Sequence, residues 1–368
     1  MVLRLRGTVV IDDEHEVGEA WVVGDRLSFE RPAAAPTAVL DGWVLPGLVD
    51  VHCHIGLASD GPVDAATAEL QALADRDSGV LLVRDAGSPA DTGWVHERAD
   101  LPRLIRAGRH LALPKRYLRH YGRELGSPAD LPTAVLEEAA RGDGWVKLVA
   151  DWIDRDLGAD GDLTPLWPAD VLATAVAGAH AAGARVTAHT FSTEALDALL
   201  DAGVDCLEHA TGATPEQIDR IAALGIPVTA TLLQIAQFEA IAAQGQDRYP
   251  RFSARMRRLH EHRYQLVRDL HEAGVPVLVG TDAGGTIGHG RIADEAAELV
   301  RAGLAAREVV AAASWRTREW LGVPGMAEGR SADVVVYDAD PRSDIEVLQH
   351  PRAVVLRGDL VAGQARRS

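Results

Sequence analysis

Cysteine is almost missing from this chain: Cys53 and Cys206 are the two in 368 residues, too few for a disulfide framework. Lysine is as scarce, since Lys115 and Lys147 are the two lysines among 37 basic residues. No apolar run reaches the roughly 18 residues that a membrane helix needs. Nor does the chain open on a basic stretch, an apolar core and a small-residue cleavage site, so a reducing cytoplasm is the expected location. Positive charge is in deficit: the net charge of −17 disfavours nucleic acid and anionic membrane as partners, because both are polyanions. No Gly-x-Gly-x-x-Gly fingerprint follows an early strand, which counts against the open, doubly wound dinucleotide-binding sheet.

What is present is globular: 47% apolar and 25% charged residues, with length for one large domain and a smaller one. Residues 1–46 read as short strands broken by turns at Asp12-Asp13, Gly18 and Gly24-Asp25, and 325–368 read the same way. The two ends are expected to pair into one small β-sandwich domain. Between them, over 47–324, short apolar runs alternate with helix-like stretches: Leu48–His52, Val80–Arg84, Arg103–Ala107, Trp145–Val149, Arg185–His189, Val204–Glu208, Ile226–Ala230 and Val275–Thr281. Strand–helix alternation of this kind implies parallel βαβ units, and eight of them match an α/β fold of the (β/α)₈ TIM-barrel type. Helix starts at Ser192 and Thr214-Pro215-Glu216, and helix-ending glycines at 183, 203, 225 and 274, punctuate the pattern.

The chemistry gathers at the strand ends. His52 and His54 stand two apart on the first strand, so both imidazoles face one side and can share an ion. The fourth strand offers Lys147, the fifth His189, the sixth His209 and the eighth Asp282. In a barrel these positions converge on the C-terminal mouth, where barrel active sites lie. Lys147 sits inside the apolar run Trp145-Val146-Lys147-Leu148-Val149. Burying an ammonium there is costly, yet a lysine, unlike arginine, can lose its proton. The neutral amine can then add carbon dioxide and become a two-oxygen ligand. The bland alternative is an ion pair with Asp151.

With these elements in order the chain resembles the amidohydrolase superfamily. The resemblance rests on Pro46-Gly47-Leu48-Val49-Asp50-Val51-His52-Cys53-His54, Trp145-Val146-Lys147, Val186-Thr187-Ala188-His189, Cys206-Leu207-Glu208-His209, Gly280-Thr281-Asp282-Ala283-Gly284 and the tail Gly329-Arg330-Ser331-Ala332-Asp333-Val334. Within it the chain is most similar to the imidazolonepropionase-related branch, which includes binuclear, carboxylated-lysine peptidases of Xaa-Pro and N-acyl amino acids. The resemblance implies that His52, His54 and Asp282 hold one divalent metal, that His189 and His209 hold another, and that carboxylated Lys147 bridges them. It implies a metal-bridging hydroxide as nucleophile, with Asp282 as the catalytic proton carrier. Zinc is the first choice of metal, and manganese, cobalt and iron suit the same donors.

Two departures stand out. His189-Thr190-Phe191-Ser192 lacks the His-x-x-Glu of nucleobase deaminases, and Arg119-His120-Tyr121-Gly122 replaces a Gly-Gly-His-Gly loop. His120 and Tyr121 are accordingly candidate substrate contacts. Two arginine-rich stretches, 103–123 and 248–263, are expected near the mouth, where one could hold a substrate carboxylate. The expectation is a metal-dependent hydrolase of amide-type C–N bonds in a small, carboxylate-bearing molecule, with a homo-oligomer as a compatible state. The rivals are a one-metal cyclic amide hydrolase or heterocycle deaminase, and a non-catalytic binding protein on the same barrel.

Overall fold

A computed structural model describes residues 2–367; Met1 and Ser368, the outer limits of the expected small domain, lie outside them. Both chain ends enter one eight-stranded sheet. Val2–Val10, Glu16–Val23, Arg26–Ser28 and Ala38–Pro46 come from the start, and Val334–Tyr337, Ala353–Leu356, Asp359–Gly363 and Arg366–Arg367 from the end. The seam is the antiparallel pairing of Ala38–Pro46 with Val334–Tyr337. Alternation along these strands buries Leu3, Leu5, Val22, Leu40, Val44, Val334, Val336 and Val355 in a core of their own. One shared sheet is as far as the sandwich expectation carries.

The central segment supplies eight parallel strands: β1 Leu48–Cys53, β2 Val80–Asp85, β3 Arg103–Arg106, β4 Trp145–Val149, β5 Arg185–Thr190, β6 Cys206–His209, β7 Val228–Thr229 and β8 Val277–Leu278. Each is hydrogen-bonded to the next, except that β3 reaches β4 through its continuation His110–Ala112. The last strand returns to the first: Val51 N–H donates to Val279 O at 3.2 Å and Asp282 N–H to His52 O at 2.7 Å. A mixed α/β fold with parallel strands through its centre results.

The helix starts and stops fall where local chemistry puts them. Ser192 caps Thr193–Ala202, and Thr214 with Gln217 forms a capping box on Pro215–Leu224. Gly203 and Gly225 close those helices at φ of 79° and 65°, a left-handed turn that costs glycine little. The strand–helix alternation is broken once. Between β2 and β3 the chain makes only the short turn Gly93–Glu97, because Gly87, Pro89, Gly93 and Pro102 leave no uninterrupted stretch for a helix. No helix of the described residues is long and apolar enough to cross a membrane.

Candidate metal centre

The C-terminal ends of the parallel strands gather the polar residues expected there. His52 and His54 are 1% and 3% exposed, Lys147 1%, His189 3% and His209 2%. One ligand atom each from His52, His209 and Asp282 lie within 4.8 Å of one another. The Asp282 carboxylate oxygen Oδ1 is 2.9 Å from His54 Nε2 and 3.2 Å from His52 Nε2. The His189 and His209 rings are 4.8 Å apart. Gly280 lets β8 come this close to β1, since a Cβ there would stand 2.8 Å from the backbone nitrogen of His52.

The backbone is bent to this purpose. His209 ends β6, Thr231 and Asp282 follow β7 and β8, and the three have φ of 70°, 46° and 57°. Non-glycine residues seldom adopt this region, which costs of order 1–3 kcal/mol per residue and clusters at functional sites.

Three of the inward histidines are held from behind. His52 Nδ1 lies 2.7 Å from Glu208 Oε2, His54 Nδ1 lies 2.6 Å from Gly87 O, and His209 Nδ1 lies 2.6 Å from Thr231 Oγ1. Metal-binding histidines are commonly fixed in this way, with the second ring nitrogen hydrogen-bonded outward. Glu208 is itself anchored by Arg84, a fully buried guanidinium whose Nη2 lies 2.5 Å from Oε1. Arg84 in turn packs 4.7 Å from the centre of the Trp145 ring.

Burial is the first cause of the low proton affinity of His54, His189 and His209, all below the usual imidazole range. That direction favours the neutral form, the one that donates a lone pair to a cation. His52 is different. Burial pulls it down, as does Lys147, but Asp282 and Glu208 push it up overall. The space between those two carboxylates is a place for positive charge.

Lys147 faces the same cluster. Its pKa is lowered, first by burial and against the opposite pull of Glu208 and Asp282. Its Nζ has no hydrogen-bond partner among the described residues, and neither has His189 Nε2. The ion pair with Asp151 does not form. That carboxylate accepts instead from Thr190 Oγ1 and from the backbone N–H groups of Phe191 and Ser192. A buried amine and a buried imidazole nitrogen without partners, beside three convergent donors, fit a metal centre.

A pocket of about 430 Å³ opens onto this cluster. Its wall is largely aromatic and aliphatic: Tyr117, Trp152, Phe191, Tyr249, Phe252 and Met256. The Trp152 and Phe191 rings lie 5.5 and 4.2 Å from that of His189. Tyr121 also lines the pocket. His120 does not; it is exposed, at a φ of 65°.

The arginine-rich stretches do not reach it either. Arg103 pairs with Asp333, Arg106 with Asp143, Arg109 and Arg123 with Glu138, and Arg255 with Asp162 and Glu194. Lys115, 78% exposed, stands 3.9 Å from Asp156. The expected carboxylate partners thus mostly neutralise nearby acids. The one arginine lining the pocket is Arg155, an exposed residue with no ion pair among the described residues.

Several of these residues escaped the sequence reading. Glu208 and Arg84 are charges inside apolar strands, the same signal that marked Lys147. His110 is fully buried, with its ring 4.9 Å from that of His54. It sits on the unexpected continuation of β3, so strand-end logic passed over it.

The sequence pattern of the Amidohydrolase family matches residues 43–361. The chain belongs to that family. This amidohydrolase is 51% identical over 356 residues to an uncharacterized protein of Mycobacterium tuberculosis, covering 97% of this chain and 95% of the other. In fold it is similar to a Xaa-Pro dipeptidase crystallised with methionine in its active site: TM-score 0.82, 20% identity, 98% of this chain and 99% of that one. It is likewise similar to Aspergillus niger ochratoxinase, with TM-score 0.79, 20% identity, and 98% and 96% of the two chains covered. As a member of a hydrolase family this amidohydrolase is a hydrolase of small molecules, and its histidine-rich cluster fits the family's use of metal.

Proposed function

We propose that this protein is a binuclear metal-dependent hydrolase of the amide bond in N-acyl amino acids or dipeptides, working at the mouth of a (β/α)₈ barrel in the cytoplasm. Within the family we place it with the carboxylated-lysine, Xaa-Pro dipeptidase-like members of the imidazolonepropionase-related branch. The observation that carries the reading is the unpartnered Lys147 amine, enclosed with the unpartnered His189 Nε2 beside the His52–His209–Asp282 cluster. Those three donors alone would serve one cation, as the one-metal rival requires. That rival leaves Lys147 without a role.

His52, His54 and Asp282 would hold one divalent ion, and His189 and His209 a second, with carboxylated Lys147 between them. When bound, two such ions, zinc by first choice, polarise a carbonyl and acidify water. The chain's own residues do the rest. The Asp282 carboxylate, which lines the pocket, takes the proton of the attacking water and hands it to the leaving nitrogen. The aromatic wall excludes water and holds an apolar side chain of the substrate. Elemental analysis of protein purified without chelator tests this: about two divalent ions per chain are expected, and one or none defeats the binuclear reading.

Glu208 is expected to matter through His52. Glu208→Gln weakens the grip on the imidazole and should lower metal affinity about 10–100-fold, read by competition with a chromophoric chelator. An unchanged affinity would relieve Glu208 of that role.

Arg155 gives the carboxylate reading its one cation at the pocket. A charge-assisted contact contributes about 1.5–3 kcal/mol, less where solvent screens it. Free acids should therefore have kcat/KM roughly tenfold above their C-terminal amides, and Arg155→Ala should remove that preference. Equal rates for acid and amide in the unaltered enzyme would end the carboxylate reading and leave the metal centre standing.

A further inference from the structure

The strand ends opposite the metal centre hold a second cavity, of about 200 Å³, between the parallel strands and the terminal sheet. Four arginines line it: Arg26 from the terminal sheet, Arg103 from the start of β3, Arg318 from helix Trp315–Leu321, and Arg330 from the segment leading back to the sheet. In a chain of net charge −17 this is a marked local excess of positive charge.

The lining carboxylate cannot balance it. Asp333 Oδ2 receives Arg103 Nε at 3.0 Å, and Oδ1 receives the backbone N–H of Arg357 at 2.8 Å and the Ser331 hydroxyl at 3.0 Å. Arg103 spends its remaining contact on the Ser331 hydroxyl, at 2.9 Å. Arg318 is 2% exposed. Its Nε donates to Gly47 O at 3.0 Å, while its buried Nη2 has no partner among the described residues. Burial first, and then the like charge of Arg103, pull its pKa down to about 10 against the attraction of Asp333. Arg330 makes no side-chain hydrogen bond or ion pair among the described residues, and Arg26 forms an ion pair with the exposed Asp25, at 3.2 Å, and donates from Nη1 to Gly329 O at 3.4 Å. A buried guanidinium with a spare donor, flanked by two exposed arginines with fork geometry to offer, is an arrangement suited to an anion.

From the four converging arginines, the unpartnered Arg318 Nη2 and the occupied Asp333, we propose that this cavity binds a small tetrahedral dianion, phosphate or the phosphate group of a monoester, remote from the metal centre. Four arginines against Asp333 and the Asp25 that pairs with Arg26 leave an excess of two positive charges, which favours a dianion over a monocarboxylate. The volume accommodates one phosphate with companion waters, each of which takes about 30 Å³. Bound there, the anion would tie the terminal sheet to the base of the parallel strands through Arg26, Arg330 and Arg318.

The test is thermal unfolding of the metal-loaded protein in orthophosphate, against sodium chloride of equal ionic strength. A ligand that binds only the folded state raises Tm, here by roughly 2–4 °C at saturating millimolar phosphate. Arg26→Gln/Arg330→Gln alters exposed side chains only, so the variant folds, and it should lose most of that rise. Phosphate acting at the metals instead would stabilise both proteins equally. Equal rises, or none beyond the chloride control, would overturn the proposal. A parallel series with glycerol phosphate separates the sources: a larger rise than with orthophosphate assigns the site to an ester, an equal or smaller one to the free ion.

Discussion

Replacing Asp282 by asparagine is expected to leave substantial metal in place and to lower kcat by about 10²–10⁴-fold, the contribution of a positioned acid–base group. The expectation follows from where the carboxylate sits. Its Oδ1 lies within 3.2 Å of two imidazoles, and among the described residues Asp282 is the one carboxylate lining the pocket. Asparagine keeps the shape and tolerates the left-handed backbone at φ 57°, because Asn and Asp share that tolerance. The fold therefore survives while the proton acceptor is lost. Turnover and metal content measured on one preparation decide the matter: near-normal kcat takes Asp282 out of the proton path, and loss of all metal makes it a ligand first.

Lys147→Ala is expected to abolish activity and to drop metal content from about two ions per chain to one or fewer. If the amine is carboxylated, its nitrogen lone pair has bonded to the carbon of carbon dioxide and one N–H proton has left, giving an anion with two donor oxygens. Alanine leaves a gap lined by polar groups, which formate or acetate can enter. Added short carboxylic acids should restore part of both metal and activity. Lys147→Arg provides the contrast, since a guanidinium stays charged and forms no such ligand. A Lys147→Ala enzyme with a full metal complement and normal rate would show that the buried amine has no part in the centre.

Much of this architecture was readable from spacing alone. All eight strands start within two residues of the start of their apolar runs, because fully buried parallel strands are written as short apolar blocks. The convergence of His52, His54, Lys147, His189, His209 and Asp282 was readable because strand ends are fixed by the same blocks, and His52 and His54 obey the period of two. What spacing did not reveal was pairing across distance. Arg109 meets Glu138 and Arg255 meets Glu194, partners 29 and 61 residues away, so arginines that read as free were already neutralised. The pocket wall was hidden for the same reason: Tyr117, Trp152, Phe191 and Phe252 come from four separate segments, among them a short strand and a helix. The missing helix after β2 shows the other limit, for a tract with two prolines carries the rhythm of alternation without the means to complete a turn.

The scarcity of lysine has a practical corollary. Of the two lysine side chains, Lys147 is sealed among the parallel strands and Lys115 stands 78% exposed, two residues before Tyr117 in the pocket wall. Amine-directed reagents will therefore modify one side chain, together with the amino terminus. A fluorophore coupled at Lys115 sits beside the entrance and reports its traffic, whereas immobilisation through the same amine turns the entrance toward the support and slows exchange. A chain so poor in lysine thus sets its own orientation on a surface and its own reporter position.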